Sequence, residues 1–253
     1  MTRLLVDIGN SRVKWARLEA GVLGEQHAAE HAGWSVEDWR AALFAGQPPV
    51  ERAVAASVAG GASLAALDEA ARAATGRGVD RVTTERAAAG VVNGYADPNL
   101  LGIDRWVAVI GAYRRVHGAV VVADIGTAAT IDVVAADGRH RGGYIVPGPR
   151  LMVASLLSGT SDLATFRATS PPGGASAFAD NTRDAIERGC RVAIAGWIEH
   201  CVRDAARSVG TQPRLLLTGG ALPEVLPYLG CAGEEVPDLV LRGLAELAAP
   251  API

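Results

Sequence analysis

The order of apolar and polar positions predicts strands and helices that recur in two similar halves. Apolar runs at 3–9 and 119–126 each end in Asp-Ile-Gly, which predicts two buried strands. Alternating runs follow at 12–20 and 129–138, so each strand is predicted to turn into a hairpin. Further strands are predicted at 52–58, 80–85, 141–148 and 214–220.

Helical patterns alternate with these strands, as in an α/β protein. Helices are predicted at 35–46, 63–78, 104–116, 150–159 and 181–209, with helical pieces in "PEVLPYL" and "DLVLRGLAEL" near the C-terminal end. Ser35 with an acidic residue three positions later predicts a capping box, and Gly189 suggests a break in the long helix. Loops are predicted at 90–102 and at the Ser-, Pro- and Gly-rich stretch 160–179.

One phrase occurs twice in the chain. "DIGNSRVKWARL" fills residues 7–18 and "DIGTAATIDVVA" fills residues 124–135, and each sits at the same place in the strand order of its half. A shared phrase within a shared order indicates an internal duplication. The sequence therefore predicts two domains, at 1–117 and 118–253.

Composition narrows the class of protein. The chain has 253 residues, of which 49% are hydrophobic and 20% charged, so a packed core is expected. A net charge of −3 without a basic stripe predicts no nucleic-acid partner. The start "MTRLLVDIGN" does not resemble a signal peptide, and no uncharged apolar run reaches a membrane span. Cys190, Cys201 and Cys231 lack metal-site spacing and are interpreted as reduced, buried thiols of a cytoplasmic protein.

The residue types of the repeated phrase are suited to binding phosphate at a turn. Glycine at a turn lets a phosphate approach the backbone, and the next residues supply N–H and hydroxyl donors. An aspartate just before the turn, such as Asp7, can hold Mg²⁺. A single Asp-x-Gly is also common in plain turns. Two copies in matched strand contexts, with "TGG" after a later strand, favour two hairpins that grip a polyphosphate. No P-loop motif is present.

Six motifs together resemble a known family. "DIGNSRVKW", "GIDRW", "DIGTAATID", "GGYIVPG", "NTRDAIERG" and "LLLTGG" occur in the order seen in type III pantothenate kinases. These enzymes belong to the acetate and sugar kinase/Hsp70/actin superfamily. The resemblance implies two duplicated ribonuclease H-like domains, the actin-like ATPase fold, with a cleft between them. It places the first phosphate motif and the pantothenate motif in the N-terminal domain, and the second phosphate motif and the adenosine motif in the C-terminal domain.

The resemblance also implies an activity and its cofactors. The family transfers the γ-phosphate of ATP to the 4′-hydroxyl of pantothenate, the first step of coenzyme A biosynthesis. It uses Mg²⁺ and a monovalent cation, K⁺ or NH₄⁺, and it implies a homodimer with the acceptor site near the interface. The alternatives are a nucleotide-binding regulatory protein, like a virulence accessory factor, and a sugar or acid kinase of the same superfamily.

The resemblance implies site residues at the positions that match the family's motifs. The residues implied for ATP are Asp7, Ile8, Gly9, Asn10, Ser11, Arg12, Val13, Lys14, Thr127, Gly219 and Gly220. Those implied for pantothenate are Tyr95, Gly102, Ile103, Asp104, Arg105 and Thr182, with Asp104 as general base. Asp124 is implied for the monovalent cation, and Asp7 is the candidate for Mg²⁺. Ser11 stands where many members have threonine, which keeps the hydroxyl.

Several of these residues have a simpler interpretation. Asp104 and Thr182 could each cap a helix, Tyr95 could pack in its loop, and Arg105 could form a surface ion pair. Lys14 is the only lysine among 24 basic residues; it could bind a phosphate as a compact charge or be retained by chance. The five histidines show no ligand spacing and are interpreted as surface or packing residues.

Assembly is predicted from the helix at 104–116. It is apolar on more than one face, so one face could pack on its own domain and the other on a second copy. The residues concerned are Trp106, Val107, Val109, Ile110 and Tyr113.

Overall fold

The computed structural model describes residues 2–46, 48–158 and 178–248. The strands are β1 (Thr2–Ile8), β2 (Arg12–Glu19), β3 (Val22–Leu23), β4 (His27–Glu30), β5 (Arg52–Ser57), β6 (Asp80–Arg81), β7 (Ala87–Ala88), β8 (Val91–Val92), β9 (Val120–Ile125), β10 (Ala128–Val134), β11 (His140–Pro147), β12 (Arg214–Thr218) and β13 (Glu234–Glu235). The helices are α1 (Val36–Leu43), α2 (Gly61–Thr75), α3 (Ile103–Val116), α4 (Pro149–Ser158), α5 (Thr182–Val209), α6 (Leu222–Val225) and α7 (Leu239–Ala248).

The chain folds into two compact units. The first contains the chain up to Gly118, the segment Val134–Gly142 and the chain from Asp238 onward, and the second contains Ala119–Val133 and Gly143–Pro237. The first boundary lies beside the predicted division at residues 117 and 118. The units differ from the predicted domains because two later segments return to pack with the first unit.

The first unit is built on a mixed sheet. Its strands follow the order β3-β2-β1-β5-β6, with β4 also paired to β2. β1 runs antiparallel to β2 and parallel to β5. Leu4, Val6 and Ile8 point to the face covered by α1 and α2, where they join Trp39 and Leu67 in a buried cluster. The predicted capping box is present, since Ser35 and Asp38 bond to each other's backbone N–H groups at the start of α1.

The helix α3 is buried within its own unit. Trp106, Val107 and Ile110 are fully buried, and α7 packs along α3. Two glycines allow this approach: a Cβ at Gly111 would lie 2.7 Å from the carbonyl oxygen of Leu239, and one at Gly243 would overlap the carbonyl of Val107. The prediction that a second copy covers α3 is therefore wrong, because α7 already covers it. Val109 is also fully buried, and only Tyr113 of the predicted set remains partly exposed.

The second unit repeats the strand order of the first. Its sheet runs β11-β10-β9-β12-β13, so β9 takes the place of β1 and β12 the place of β5. β9 and β12 are parallel, as β1 and β5 are. Ile125, Ile131 and Leu217 of this sheet pack against Ile194 and Ile198 of α5. The shared order confirms the duplicated α/β fold.

Several local predictions need correction. α5 is one continuous helix of 28 residues and is not broken at Gly189. The strand β4 was missed, and β6 is shorter than the predicted strand at 80–85. Most of the predicted loop at 160–179 lies outside the described residues. No helix in the described parts of the chain has the length and apolar character needed to cross a bilayer.

The prediction of buried cysteines is confirmed for two of the three. Cys190 and Cys201 are buried along α5, Cys231 is half-buried, and all three are free thiols. Burial raises the pKa of the Cys201 thiol to about 11, with a smaller contribution from the nearby Asp204 carboxylate.

Candidate active site

The first Asp-x-Gly phrase forms a tight turn between β1 and β2. The Gly9 N–H donates to the Arg12 carbonyl at 2.9 Å, and a Cβ at Gly9 would lie 3.1 Å from that same oxygen. Asn10, Ser11 and Arg12 are exposed around the turn. Donors presented at an exposed turn can bind an anion.

Asp7 and Lys14 are cross-strand neighbours beside this turn. They are paired in the register of β1 and β2, so their side chains point to the same face of the sheet. That face is opposite the one carrying Ile8 and Val13, which are fully buried in the core. Asp7 is buried and Lys14 half-buried. Ile8 and Val13 can therefore reach a ligand only through their backbone atoms.

The second phrase forms the matching turn between β9 and β10. The Gly126 N–H donates to the Ala128 carbonyl at 2.9 Å, and the Thr127 carbonyl accepts the Gly148 N–H at 2.9 Å. The Thr127 side chain is exposed. A Cβ at Gly148 would overlap the carbonyl of Gly126, so the last glycine of the "GGYIVPG" motif allows β11 to end in close contact with this turn.

The glycine pair after β12 lies beside Asp124, but its two members differ. Thr218 is paired with Asp124 in the sheet, and the next residue, Gly219, has φ +103°. A Cβ at Gly219 would collide with the backbone of Ile125 and with the Asp124 carboxylate, whereas Gly220 has no atom within 4 Å of such a Cβ. Gly219 is thus required for packing, and Gly220 is the glycine that leaves open space.

The G-x-D-R motif begins α3. Gly102 is the N-cap, so Asp104 lies in the first turn and is not the cap itself. The Asp104 carboxylate accepts the backbone N–H of Arg105 at 2.8 Å. Arg105 is only 6% exposed, which is not the environment of a surface ion pair. Ile103 is the first residue of the helix and is half-buried.

Tyr95 and Arg105 come together although ten residues separate them. The Arg105 Nη1 donates to the Tyr95 hydroxyl at 3.0 Å, and its guanidinium carbon lies 5.8 Å from the centre of the Tyr95 ring. The opening of α3 and the preceding loop therefore form one cluster. Within the first unit, the structure joins two of the residues implied for pantothenate.

Three further residues contact Tyr95 and stabilise its loop, and sequence reasoning did not single them out. Asn93 accepts the Tyr95 N–H at 3.0 Å, and Arg86 donates to the Tyr95 carbonyl at 3.0 Å. His140 is buried and stacks on Tyr95 with ring centres 6.0 Å apart. A side-chain amide two residues before Tyr95 is a recognisable turn signal. Nothing in the sequence pairs Tyr95 with His140, because that contact depends on the segment Val134–Gly142 packing with the first unit.

Thr182 lies in the second unit at the first position of α5. It is exposed and does not cap the helix. The cap is Asn181, whose side-chain oxygen accepts the Asp184 N–H at 3.0 Å. The Thr182 hydroxyl is therefore available to a ligand.

A comparison with protein families shows which family the chain belongs to. The family model described as type III pantothenate kinase matches residues 3–204. The chain belongs to the type III pantothenate kinase family. It is also 39% identical to a type III pantothenate kinase of Alkalilimnicola ehrlichii over 249 residues, which cover 97% of each chain.

Solved structures place this type III pantothenate kinase family member in the actin-like fold. A Campylobacter jejuni protein assigned to the Baf family of transcriptional activators aligns with TM-score 0.57 and 22% identity, covering 95% of this chain and 94% of that one. Component A of the (R)-2-hydroxyglutaryl-CoA dehydratase of Acidaminococcus fermentans aligns with TM-score 0.56 and 16% identity, covering 97% and 96%. At these identities the likeness shows the fold alone.

The acidic residues of the two turns each offer a single carboxylate to a cation. Among residues 2–46, 48–158 and 178–248, no group of three or more His, Cys, Asp or Glu side chains is arranged to hold a metal. Asp7 and Asp124 each offer a single carboxylate at a strand end. Mg²⁺ in kinases is held by one or two carboxylates together with phosphate oxygens and water. The donor set fits a cation that arrives with the nucleotide.

Proposed function

We propose that this kinase transfers the γ-phosphate of ATP to the 4′-hydroxyl of pantothenate, with Asp104 as the general base. The observation that carries the proposal is the cluster of Asp104, Arg105 and Tyr95 at the start of α3. Membership of the type III pantothenate kinase family supports it. The product belongs to the first step of coenzyme A biosynthesis.

Arg105 binds the carboxylate of pantothenate. A guanidinium is always charged and matches a carboxylate with a fork of N–H donors. Its own position is held by the hydrogen bond to Tyr95, so little side-chain freedom is lost on binding. Burial strengthens such a charge pair, because water screens it less. Gly102, Ile103 and Thr182 complete the proposed acceptor contacts.

Asp104 accepts the proton of the attacking hydroxyl. It lies in the first turn of α3, where the helix dipole attracts negative charge. One carboxylate oxygen accepts the Arg105 N–H, which fixes the orientation of the group. A fixed carboxylate within reach of an alcohol contributes about 10²–10⁴ to the rate of proton transfer steps.

The two turns bind the ATP phosphates. Asn10, Ser11 and Arg12 present donors at the first turn, and Thr127 presents a hydroxyl at the second. Lys14 adds a positive charge beside Asp7. Gly220 leaves room for the adenosine.

Mg²⁺ is assigned to Asp7 and a monovalent cation, K⁺ or NH₄⁺, to Asp124. A bound cation neutralises negative charge on the transferring phosphoryl group. The single carboxylate at each strand end supports this assignment, since the remaining ligands would be phosphate oxygens and water. The use of ATP as donor supports a cytoplasmic location.

A homodimer is supported by an exposed apolar surface on the second unit. Six large apolar side chains of that unit are exposed among the described residues: Tyr144, Ile145, Leu151, Leu156, Phe178 and Val192. β11 leads directly into α4, and α4 packs on α5, so these elements are neighbours. A concentration of exposed apolar residues favours a protein partner, and a second copy is the partner always available.

The dimer is tested by light scattering coupled to size exclusion. Ile145→Asp combined with Leu156→Asp should convert a dimer to a monomer at micromolar concentration, since each buries a charge in the interface. Val22→Asp is the control, because Val22 is also an exposed apolar residue but lies in the first unit. A wild-type monomer, or a double variant that stays dimeric, would overturn this interface.

The activity is tested by ADP release with a panel of acceptors. Purified protein with ATP and Mg²⁺ should release ADP when pantothenate is added, and not with glucose or acetate. Equal ADP release without pantothenate would contradict the assignment of pantothenate as the acceptor. Faster turnover with glucose or acetate would instead favour a sugar or acid kinase of the same fold.

A further inference from the structure

His31 contacts the first phosphate turn, at Gly9, from the buried side. It directly follows β4, which pairs with β2 so that Glu30 lies opposite Arg12. This pairing brings His31 beside the turn, although 22 residues separate it from Gly9. Its Nε2 lies 2.7 Å from the Gly9 carbonyl oxygen, and the residue is only 6% exposed.

The ring of His31 is held by the aromatic residues around α1. Trp39 packs against it with ring centres 5.5 Å apart, and Trp34 meets Trp39 edge-on at 4.9 Å. The His31 carbonyl also accepts the Trp34 N–H at 3.1 Å. Trp39 is almost fully buried, so the imidazole is fixed between a core helix and the turn.

This contact fixes one peptide plane of the turn. A carbonyl oxygen only accepts, so His31 Nε2 carries the hydrogen and donates it to Gly9. In a trans peptide the C=O and the following N–H point in opposite directions. Anchoring the Gly9 carbonyl inward therefore aims the Asn10 N–H outward, toward the exposed side of the turn.

Without this anchor the Gly9–Asn10 peptide could rotate. Glycine tolerates a wide range of backbone angles, so Gly9 itself resists such a rotation weakly. A rotated peptide would present a carbonyl oxygen to an approaching phosphate in place of an N–H donor. An anion would then meet a negative dipole where it needs a positive one.

We propose that His31 is a positioning residue that keeps the Asn10 N–H directed at the phosphates of ATP. The proposal rests on the proposed function, because it assigns the first turn to the nucleotide. His31 does not touch the substrate in this account. It acts through the backbone of Gly9.

Two substitutions separate hydrogen bonding from packing. His31→Phe keeps an aromatic ring against Trp39 but removes the donor. His31→Gln supplies a side-chain N–H that can again reach the Gly9 carbonyl. The matched control is His27→Phe. His27 is the first residue of β4, is exposed and stacks on Trp15.

The measurements are equilibrium binding of ATP with Mg²⁺ without pantothenate, the KM for each substrate, and thermal unfolding. His31→Phe should weaken ATP binding and raise its KM by about 10–100-fold, the range expected when a hydrogen bond to a charged group is lost. The KM for pantothenate should stay within about twofold. His31→Gln should recover most of the ATP affinity, and His27→Phe should match the wild type.

Three results would overturn the proposal. ATP affinity unchanged in His31→Phe would show that the turn does not depend on the anchor. An equal loss in His31→Gln with a large fall in Tm would show that His31 acts only in packing. Equal rises in both KM values would show a general distortion of the fold. ATP binding is measured without the acceptor, so a failure of pantothenate turnover is detected separately.

Discussion

The two glycines after β12 give a sharp test of the second turn, because they are adjacent and have opposite surroundings. Gly219 has φ +103°, and a Cβ there would collide with the backbone of Ile125 and the Asp124 carboxylate. Gly220 has no positive φ and nothing within 4 Å of a Cβ. Replacing each by alanine therefore adds the same methyl group to a crowded site and to an open one.

The expected loss of folding stability in Gly219→Ala is the sum of two free-energy costs. A non-glycine residue at such a φ costs about 1–3 kcal/mol. Overpacking against backbone atoms adds about 1–3 kcal/mol. The sum of about 2–6 kcal/mol is a large part of the ~5–15 kcal/mol that stabilises a domain. For a chain of this size it corresponds to a fall in Tm of about 5–20 °C.

Thermal unfolding of the ligand-free variants is the assay. Gly219→Ala should unfold well below the wild type, and Gly220→Ala should stay within about 0.5 kcal/mol of it, as substitutions at open sites do. Gly220→Ala should still raise the KM for ATP, because its methyl group points into the space assigned to adenosine. A Gly219→Ala variant as stable as the wild type would refute the close contact between β12 and β9.

Three further predictions concern single side chains. Asp104→Asn should lower kcat by about 10²–10⁴ with ATP affinity unchanged in equilibrium binding; near-normal turnover would reduce Asp104 to a residue of the helix start. Lys14→Met should raise the KM for ATP and Lys14→Arg should restore it only partly, since a broad guanidinium needs more room than an ammonium; full activity in Lys14→Met would contradict a phosphate contact. Cys201, with a pKa of about 11, stays protonated at pH 8, so its alkylation should be slow and should accelerate as the pH rises toward 11. Alkylation of Cys201 at pH 7 as fast as that of an exposed cysteine would contradict its burial.

The parts of the fold that the sequence predicts well are those with a strong local signal. The strands β1 and β9 are apolar runs that end in Asp-Ile just before a glycine, and the α1 capping box is formed by Ser35 and Asp38, three positions apart. The continuous helix α5 was predicted to break at Gly189 because glycine is a poor helix former. A mid-helix glycine costs only about 1 kcal/mol, and the packing of Ile194 and Ile198 outweighs it.

The parts that escape prediction depend on contacts between distant segments. Gly111 and Gly243 let α3 and α7 pack closely, yet neither glycine is distinctive in its own stretch of sequence. This pairing explains why the apolar faces of α3 need no second copy. The anchoring of Gly9 by His31 and the stacking of His140 on Tyr95 are of the same kind, since each joins residues more than 20 positions apart.

The candidate site was predicted as residue types and positions, and the structure adds how they are held. Arg105 was weighed against a surface ion pair, but it is buried and bonded to Tyr95. Gly219 and Gly220 looked equivalent in sequence, and the positive φ of Gly219 and its close contacts with Ile125 and Asp124 separate them. Such distinctions depend on backbone geometry, which a sequence pattern does not contain.

The central claim is that this chain phosphorylates pantothenate, and product analysis tests it most directly. Mass spectrometry of a reaction with ATP, Mg²⁺ and pantothenate should show 4′-phosphopantothenate and ADP appearing in equal amounts. The same reaction with Asp104→Asn should form the product far more slowly. ADP formed without phosphopantothenate would contradict the account, because the phosphate would then have gone to water or to another acceptor.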